Sequence, residues 1–133
     1  MSKFFVVATH GLIKKSEKYL VTKRSTTNDY MPNFWDIPGG SIKFGEETFS
    51  ALKREILEET GLEIKPGKIT FAYGFKSNES RHQFQLVYLC DYLSGVVKLN
   101  PSEHSEYRWV TLREMKKLKN IAFLKELLEE VSK

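Results

Sequence analysis

Residues 35–62 read WDIPGGSIKFGEETFSALKREILEETGL, and the fold turns on how this stretch is parsed. Phe34 to Ile37 has the aromatic, apolar character of a short strand, which Pro38, Gly39 and Gly40 would stop. From Thr48 to Thr60 the period changes. Phe49, Leu52 and Ile56 recur at helical spacing and predict one buried stripe. Gly61 follows as a left-handed helix stop. Strand, glycine turn and helix therefore succeed one another. The two glycines let the backbone turn tightly and approach a ligand with no Cβ in the way.

On that helix Glu55, Glu58 and Glu59 stand at i, i+3 and i+4, so they share one arc beside the apolar stripe. Like charges this close cost a helix a few tenths of a kcal/mol per pair. They also lie toward the C-terminal end, where the helix dipole disfavours anions. Something must offset that. A hard divalent cation such as Mg²⁺ takes oxygen ligands from several carboxylates and would tie them to phosphate oxygens. Alternatively, Lys53 and Arg54 neutralise part of the charge and leave an ordinary solvated face.

Working outward, residues 3–13 and 18–23 are rich in β-branched and aromatic residues and predict a two-strand hairpin. Residues 25–33 are polar, contain Pro32 and read as a loop. Downstream, 69–76, 82–93 and 106–110 read as strands, with 94–97 a turn into a short edge strand. Thr111 and Glu114 have the spacing of a capping box, and Leu112, Met115 and Leu118 share a face after it. Asn120 is placed to cap a last helix whose stripe is Ile121, Leu124, Leu127, Leu128 and Val131. Strands around one central helix, then more strands and a terminal helix, make a mixed α/β (α+β) domain over residues 1–133 rather than a regular βαβ winding.

Composition bounds the rest. The chain has 133 residues, 41% of them hydrophobic, which suits one globular domain and excludes a disordered chain. No apolar run reaches the roughly 18 residues of a membrane span. The lone Cys90 can form no internal disulfide or multi-cysteine metal site, and points to a reducing cytoplasm. With 21 Lys and Arg against 17 Asp and Glu, the net charge of +4 suits an anionic ligand. The basic run from Arg113 to Lys119 lacks interleaved aromatics, so no nucleic-acid partner is expected.

The company that the three acids keep decides between cation and solvated face. Gly40, five residues, Glu46, seven residues, Arg54-Glu55-Ile56, one residue, Glu58-Glu59, one residue, Gly61-Leu62 resembles the Nudix box at all nine specified positions. The chain looks like a small MutT-like Nudix hydrolase. The resemblance implies a Nudix-like α/β/α sandwich with a mixed sheet, a catalytic loop-helix and a C-terminal helix. It implies Mg²⁺, with Mn²⁺ as substitute, held by Glu58, Glu59 and the Gly39 carbonyl. Glu55 is then a further ligand or the general base. Glu46 and Arg54 flank the loop–helix junction, where an ion pair would hold the loop and keep Arg54 off the metal ligands. Gly40 and Gly61 are structural.

Outside the box, Glu103 has the offset from Trp109 at which similar proteins bring another metal-binding acid, with Glu106 as understudy. Arg24 and Arg81 stand where MutT-like enzymes contact substrate, and Arg suits bidentate phosphate binding. Asn120 falls where that branch reads a purine edge, a job an amide can do because it both donates and accepts. The implied reaction is hydrolysis of a phosphoanhydride in a nucleoside diphosphate linked to another group, (deoxy)nucleoside triphosphates first and ADP-ribose or a nucleotide sugar second. Two rivals stay open: a non-catalytic nucleotide-binding module, and an isomerase acting on a prenyl diphosphate, which would need a reactive Cys90. The partner implied is a small nucleotide, with no membrane; a homodimer stays open.

Overall fold

A computed structural model describes residues 2–131; Met1, Ser132 and Lys133, which the one-domain reading of 1–133 includes, lie outside the described residues. The elements in chain order are β1 (Phe4–Lys15), β2 (Lys18–Arg24), β3 (Trp35–Asp36), β4 (Gly39–Ser41), α1 (Thr48–Thr60), β5 (Glu63–Lys76), β6 (Arg81–Ser94), β7 (His104–Val110), α2 (Leu112–Lys116) and α3 (Ala122–Val131). The strands form one mixed sheet whose main path runs β3-β2-β1-β6-β5. β1 and β6 pair in parallel from Phe4↔Arg81 to Lys14↔Asp91, and the other pairings are antiparallel.

Strand alternation makes the sheet two-faced. Leu12 and Val21 point into a core with Trp35, Ile37, Met115, Leu124 and Leu127. Their neighbours Ile13 and Leu20 point the other way, onto Leu52 and Ile56 of α1. Helix α1 thus covers one face and α2 with α3 the other, which is the three-layer α+β sandwich anticipated. Thr111 and Glu114 form the expected capping box, each side chain bonding the other residue's backbone N–H.

Several local expectations are corrected. The β1–β2 hairpin is narrow, paired only at Lys14↔Tyr19 and Lys15↔Lys18, because β2 turns away to pair with β7 from Tyr19 to Arg24. Gly39 and Gly40 do not end the sheet: they begin β4, whose Gly39 and Gly40 pair with His10 and Thr9 of β1. A Cβ on Gly39 would overlap the Thr9 carbonyl oxygen and the His10 backbone. β5 begins at Glu63, six residues early, and crosses Pro66 and Gly67 as an irregular edge strand. Residues 95–100 carry no edge strand. Phe49 is not core. It is 40% exposed and packs edge-on against Tyr88, while Ala51 and Thr60 join Leu52 and Ile56 in the buried stripe. In α3, Phe123 is buried and Val131 is exposed. The stop at Gly61 is as read, with φ 78° and its N–H donating to the Leu57 carbonyl.

Candidate active site

The β4–α1 connection is built around one ion-paired knot. Arg54 Nε donates to Glu46 Oε2 at 2.6 Å and Nη2 to Oε1 at 2.9 Å, a bidentate pair. Glu46 Oε1 also accepts the Lys43 N–H at 3.0 Å, which closes the loop on itself. The Arg54 hydrogen bonds, first, and that of Lys43 hold the Glu46 carboxyl down at about 2. The expected ion pair is therefore present. The expectation that it keeps Arg54 away from the acids is not met: Nη1 donates to Glu55 Oε1 at 2.9 Å and reaches Glu58 Oε2 at 3.3 Å. Of the two sources of relief weighed from the sequence, the geometry shows the second: Arg54 neutralises the outer acids of the arc.

Glu59 is different. Its carboxyl is half-buried and is pushed well above the usual range, first by desolvation and then by the charges of Asp36, Glu103 and Glu55, although a backbone hydrogen bond from Gly39 opposes this. The charges of three other carboxylates thus bear on one half-buried group, and its ion-pair partner among the described residues is His104, with Nε2 3.9 Å from Oε1. Burial lowers the His104 pKa, so that ring is a poor counter-ion, and its Nδ1 is buried without a hydrogen-bond partner. This donor set, all hard oxygens and one deficit of positive charge, fits a divalent cation. Among the described residues no three acids or histidines stand close enough to form a ready-made cage. Gly40 explains itself here: a Cβ on it would overlap the Glu55 carboxylate, so Gly40 is the seat of that acid.

Glu59, Gly39, Gly40, Arg24 and Arg81 line one cavity of about 460 Å³, a size that suits a small organic ligand. Arg24 is braced by Tyr30 O and Asn28 Oδ1, both at 2.7 Å, and by Asp36 Oδ2 at 3.3 Å. Arg81 begins β6 at the cavity wall. The charge of Glu103 is felt at Glu59, and its backbone carbonyl accepts from the Ser25 N–H, but Glu103 is not part of the cavity lining. Glu106 is instead paired with Arg108 at 2.9 Å. Asn120 neither lines the cavity nor caps α3: its Nδ2 donates to Met115 O at 2.9 Å, and its Oδ1 is buried without a partner. Its neighbour Ile121 does line the cavity.

Sequence reasoning missed Asp36 and His104. Asp36 shows as a charged residue inside an apolar strand just before Pro38, and it is buried at 5% exposure. His104 gave no spacing signal, because its partner Glu59 is distant in sequence. Cys90 is 1% exposed and burial pushes its thiol up to about 12, which removes the reactive thiolate that the isomerase alternative needs. No helix among the described residues is long and apolar enough to cross a membrane.

Known proteins agree with this geometry. The family model for the NUDIX domain matches residues 5–131. An ADP-ribose pyrophosphatase of Methanocaldococcus jannaschii is 34% identical over 93 residues, 69% of this chain and 54% of that protein, so the chain spans about half of that relative. The nucleoside triphosphatase NudI of Escherichia coli is 32% identical over 109 residues, covering 74% of this chain and 77% of that protein. The crystal structure of a MutT protein from Methanosarcina mazei superposes with a TM-score of 0.83 at 27% identity, covering 97% of this chain and 94% of that one. Nudix hydrolases generally work with divalent cations. By its box, its sheet and these likenesses, the chain belongs to the Nudix family and has the fold of its MutT-like members.

Proposed function

We propose that this protein is a Mg²⁺-dependent pyrophosphohydrolase of small nucleotides, acting on (deoxy)nucleoside triphosphates. The carrying observation is the half-buried Glu59 carboxylate, under the charges of Asp36, Glu103 and Glu55, in the lining of a cavity that two arginines also line. Glu58, Glu59, Glu55, Glu103 and the Gly39 carbonyl would hold the cation, and Mn²⁺ would substitute. A bound divalent cation neutralises phosphate oxygens and acidifies a water at neutral pH.

The chain's own residues supply the rest. Arg24 and Arg81 contact the polyphosphate, with Arg24 preset by Tyr30 and Asn28. Glu55, seated on Gly40, accepts the proton of the attacking water or serves as a further ligand. Arg54 orients Glu55 and Glu58 while Glu46 fixes Arg54. Asn120 holds the chain before α3 and so sets Ile121 against the cavity. The single buried thiol suits a reducing, cytoplasmic setting.

A panel of nucleoside triphosphates, ADP-ribose and nucleotide sugars, assayed with Mg²⁺ and with Mn²⁺, tests the reading. Glu58→Gln and Glu59→Gln are expected to fold and to lose at least about 100-fold in turnover. Wild-type turnover by either variant with Mg²⁺ present removes the ligand assignment. ADP-ribose is the second reading, favoured by the archaeal relative's name, and its preferential hydrolysis would replace the first. Tight nucleotide binding with no hydrolysis would make the protein a binding module.

A further inference from the structure

The cavity wall away from the acids is built by three adjacent strands. Ala8, Gln85 and Tyr73 lie in one row across β1, β6 and β5, and Gln83 with Phe75 forms the next row on the same face. Phe123 of α3 lines the same space, its ring centroid 4.7 Å from that of His10. A planar ring system entering here meets aromatic surface from the sheet and from the helix.

Gln85 is only 6% exposed, and His10 is its one side-chain hydrogen-bond partner among the described residues. His10 Nδ1 lies 3.2 Å from the Ile37 carbonyl oxygen, and Nε2 lies 2.6 Å from Gln85 Oε1. A carbonyl only accepts, so Nδ1 carries the hydrogen, and in the neutral ring Nε2 is then an acceptor. Nε2 facing Oε1 would set two acceptors against each other. A half-turn of the amide, whose two ends are nearly isosteric, relieves this by letting the Gln85 NH₂ donate to Nε2. The Gln85 carbonyl oxygen is then left to the cavity. The opposite tautomer would bond Gln85 and leave the Nδ1 lone pair against the Ile37 carbonyl, a buried repulsion.

We propose that Gln85, held by the positioning residue His10, accepts a hydrogen bond from the exocyclic amino group of a nucleobase and so selects amine-bearing nucleotides. This rests on the nucleotide reading above and names its substrate class. None of the residues involved is one of the acids.

The test measures dissociation constants, in Mg²⁺, for imido-linked triphosphate analogues in matched pairs: cytidine and uridine, adenosine and unsubstituted purine riboside, guanosine and inosine. The corresponding kcat/KM ratios are measured in parallel. In at least one pair the amine-bearing member should bind about tenfold tighter, since the alternative leaves a buried acceptor unmade. Gln85→Leu and His10→Phe should reduce that ratio to within about threefold, whereas Gln85→Glu, which still offers acceptor oxygens, should keep it. A ratio near one in every wild-type pair, or a preference that survives Gln85→Leu in a folded variant, overturns the assignment. If Gln85→Leu does not fold, the wild-type ratios and Gln85→Glu decide. Selective binding without hydrolysis would defeat the enzymatic reading and leave this one standing, and hydrolysis without selection would do the reverse.

Discussion

The adjacent glycines of strand β4 should fail in different ways when each gains a methyl group. At Gly40 the new Cβ overlaps the Glu55 carboxylate, with Oε1 at 3.0 Å and Oε2 and Cδ nearer still. Carbon and oxygen need about 3.5 Å, so the carboxylate must retreat by roughly 1 Å. Glu55 is the far end of a flexible side chain, and Gly40 is not among the positive-φ residues, so the backbone accepts alanine. The expected change in stability is below about 1 kcal/mol, a melting shift within roughly 4 °C. A misplacement of that size beside the reacting groups costs on the order of 100-fold in kcat/KM. At Gly39 the methyl meets backbone instead, the Thr9 carbonyl and the His10 Cα. There the β1–β4 pairing itself must give, at roughly 3 kcal/mol and about 10 °C. The assay is paired: thermal melts of Gly39→Ala and Gly40→Ala, then hydrolysis of the preferred panel substrate and Mn²⁺ affinity for whatever folds. A Gly40→Ala protein with wild-type melting, wild-type Mn²⁺ affinity and wild-type kcat/KM would refute the role given to Glu55.

Three further outcomes follow from the electrostatics. Glu59→Gln should raise the melting temperature of the metal-free protein at pH 7–8 while abolishing the rise expected of the wild type on adding Mg²⁺. The sign follows from a folded carboxyl pKa above its unfolded value of 4.5: the native state binds the extra proton, so the wild type loses stability as pH climbs through that interval. A lower melting point for the variant would contradict it. Glu46 has the opposite sense: depressed to about 2, its contribution is complete above the unfolded value of 4.5 and is lost as pH falls toward 2, so Glu46→Gln should flatten acid unfolding in that window. Cys90, buried and raised to about 12, should resist iodoacetamide at pH 8 until the protein is unfolded, and Cys90→Ala should keep full activity. Rapid native labelling would show a thiol more open than its strand position allows.

The parts legible in the chain alone are those carried by local spacing. The helix of residues 48–60, its Gly61 stop, the shared arc of Glu55, Glu58 and Glu59, and the Thr111–Glu114 box each follow from intervals of a few residues, and they folded as read. Tertiary pairing alone decided the rest. β4 exists because β1 offers Thr9 and His10 an open edge to it, against the local tendency of Pro38-Gly39-Gly40 to end a strand. Phe49 lies outside the core because the α1 face that the sheet covers is centred on Leu52 and Ile56. Asp36 and His104 reach Glu59, and His10 reaches Gln85, across long stretches of chain, through long-range pairing that no window of residues reports. Periodicity records which side of an element is buried; which distant side chains then share a cavity is set by strand order and register, and those emerge only when the sheet closes.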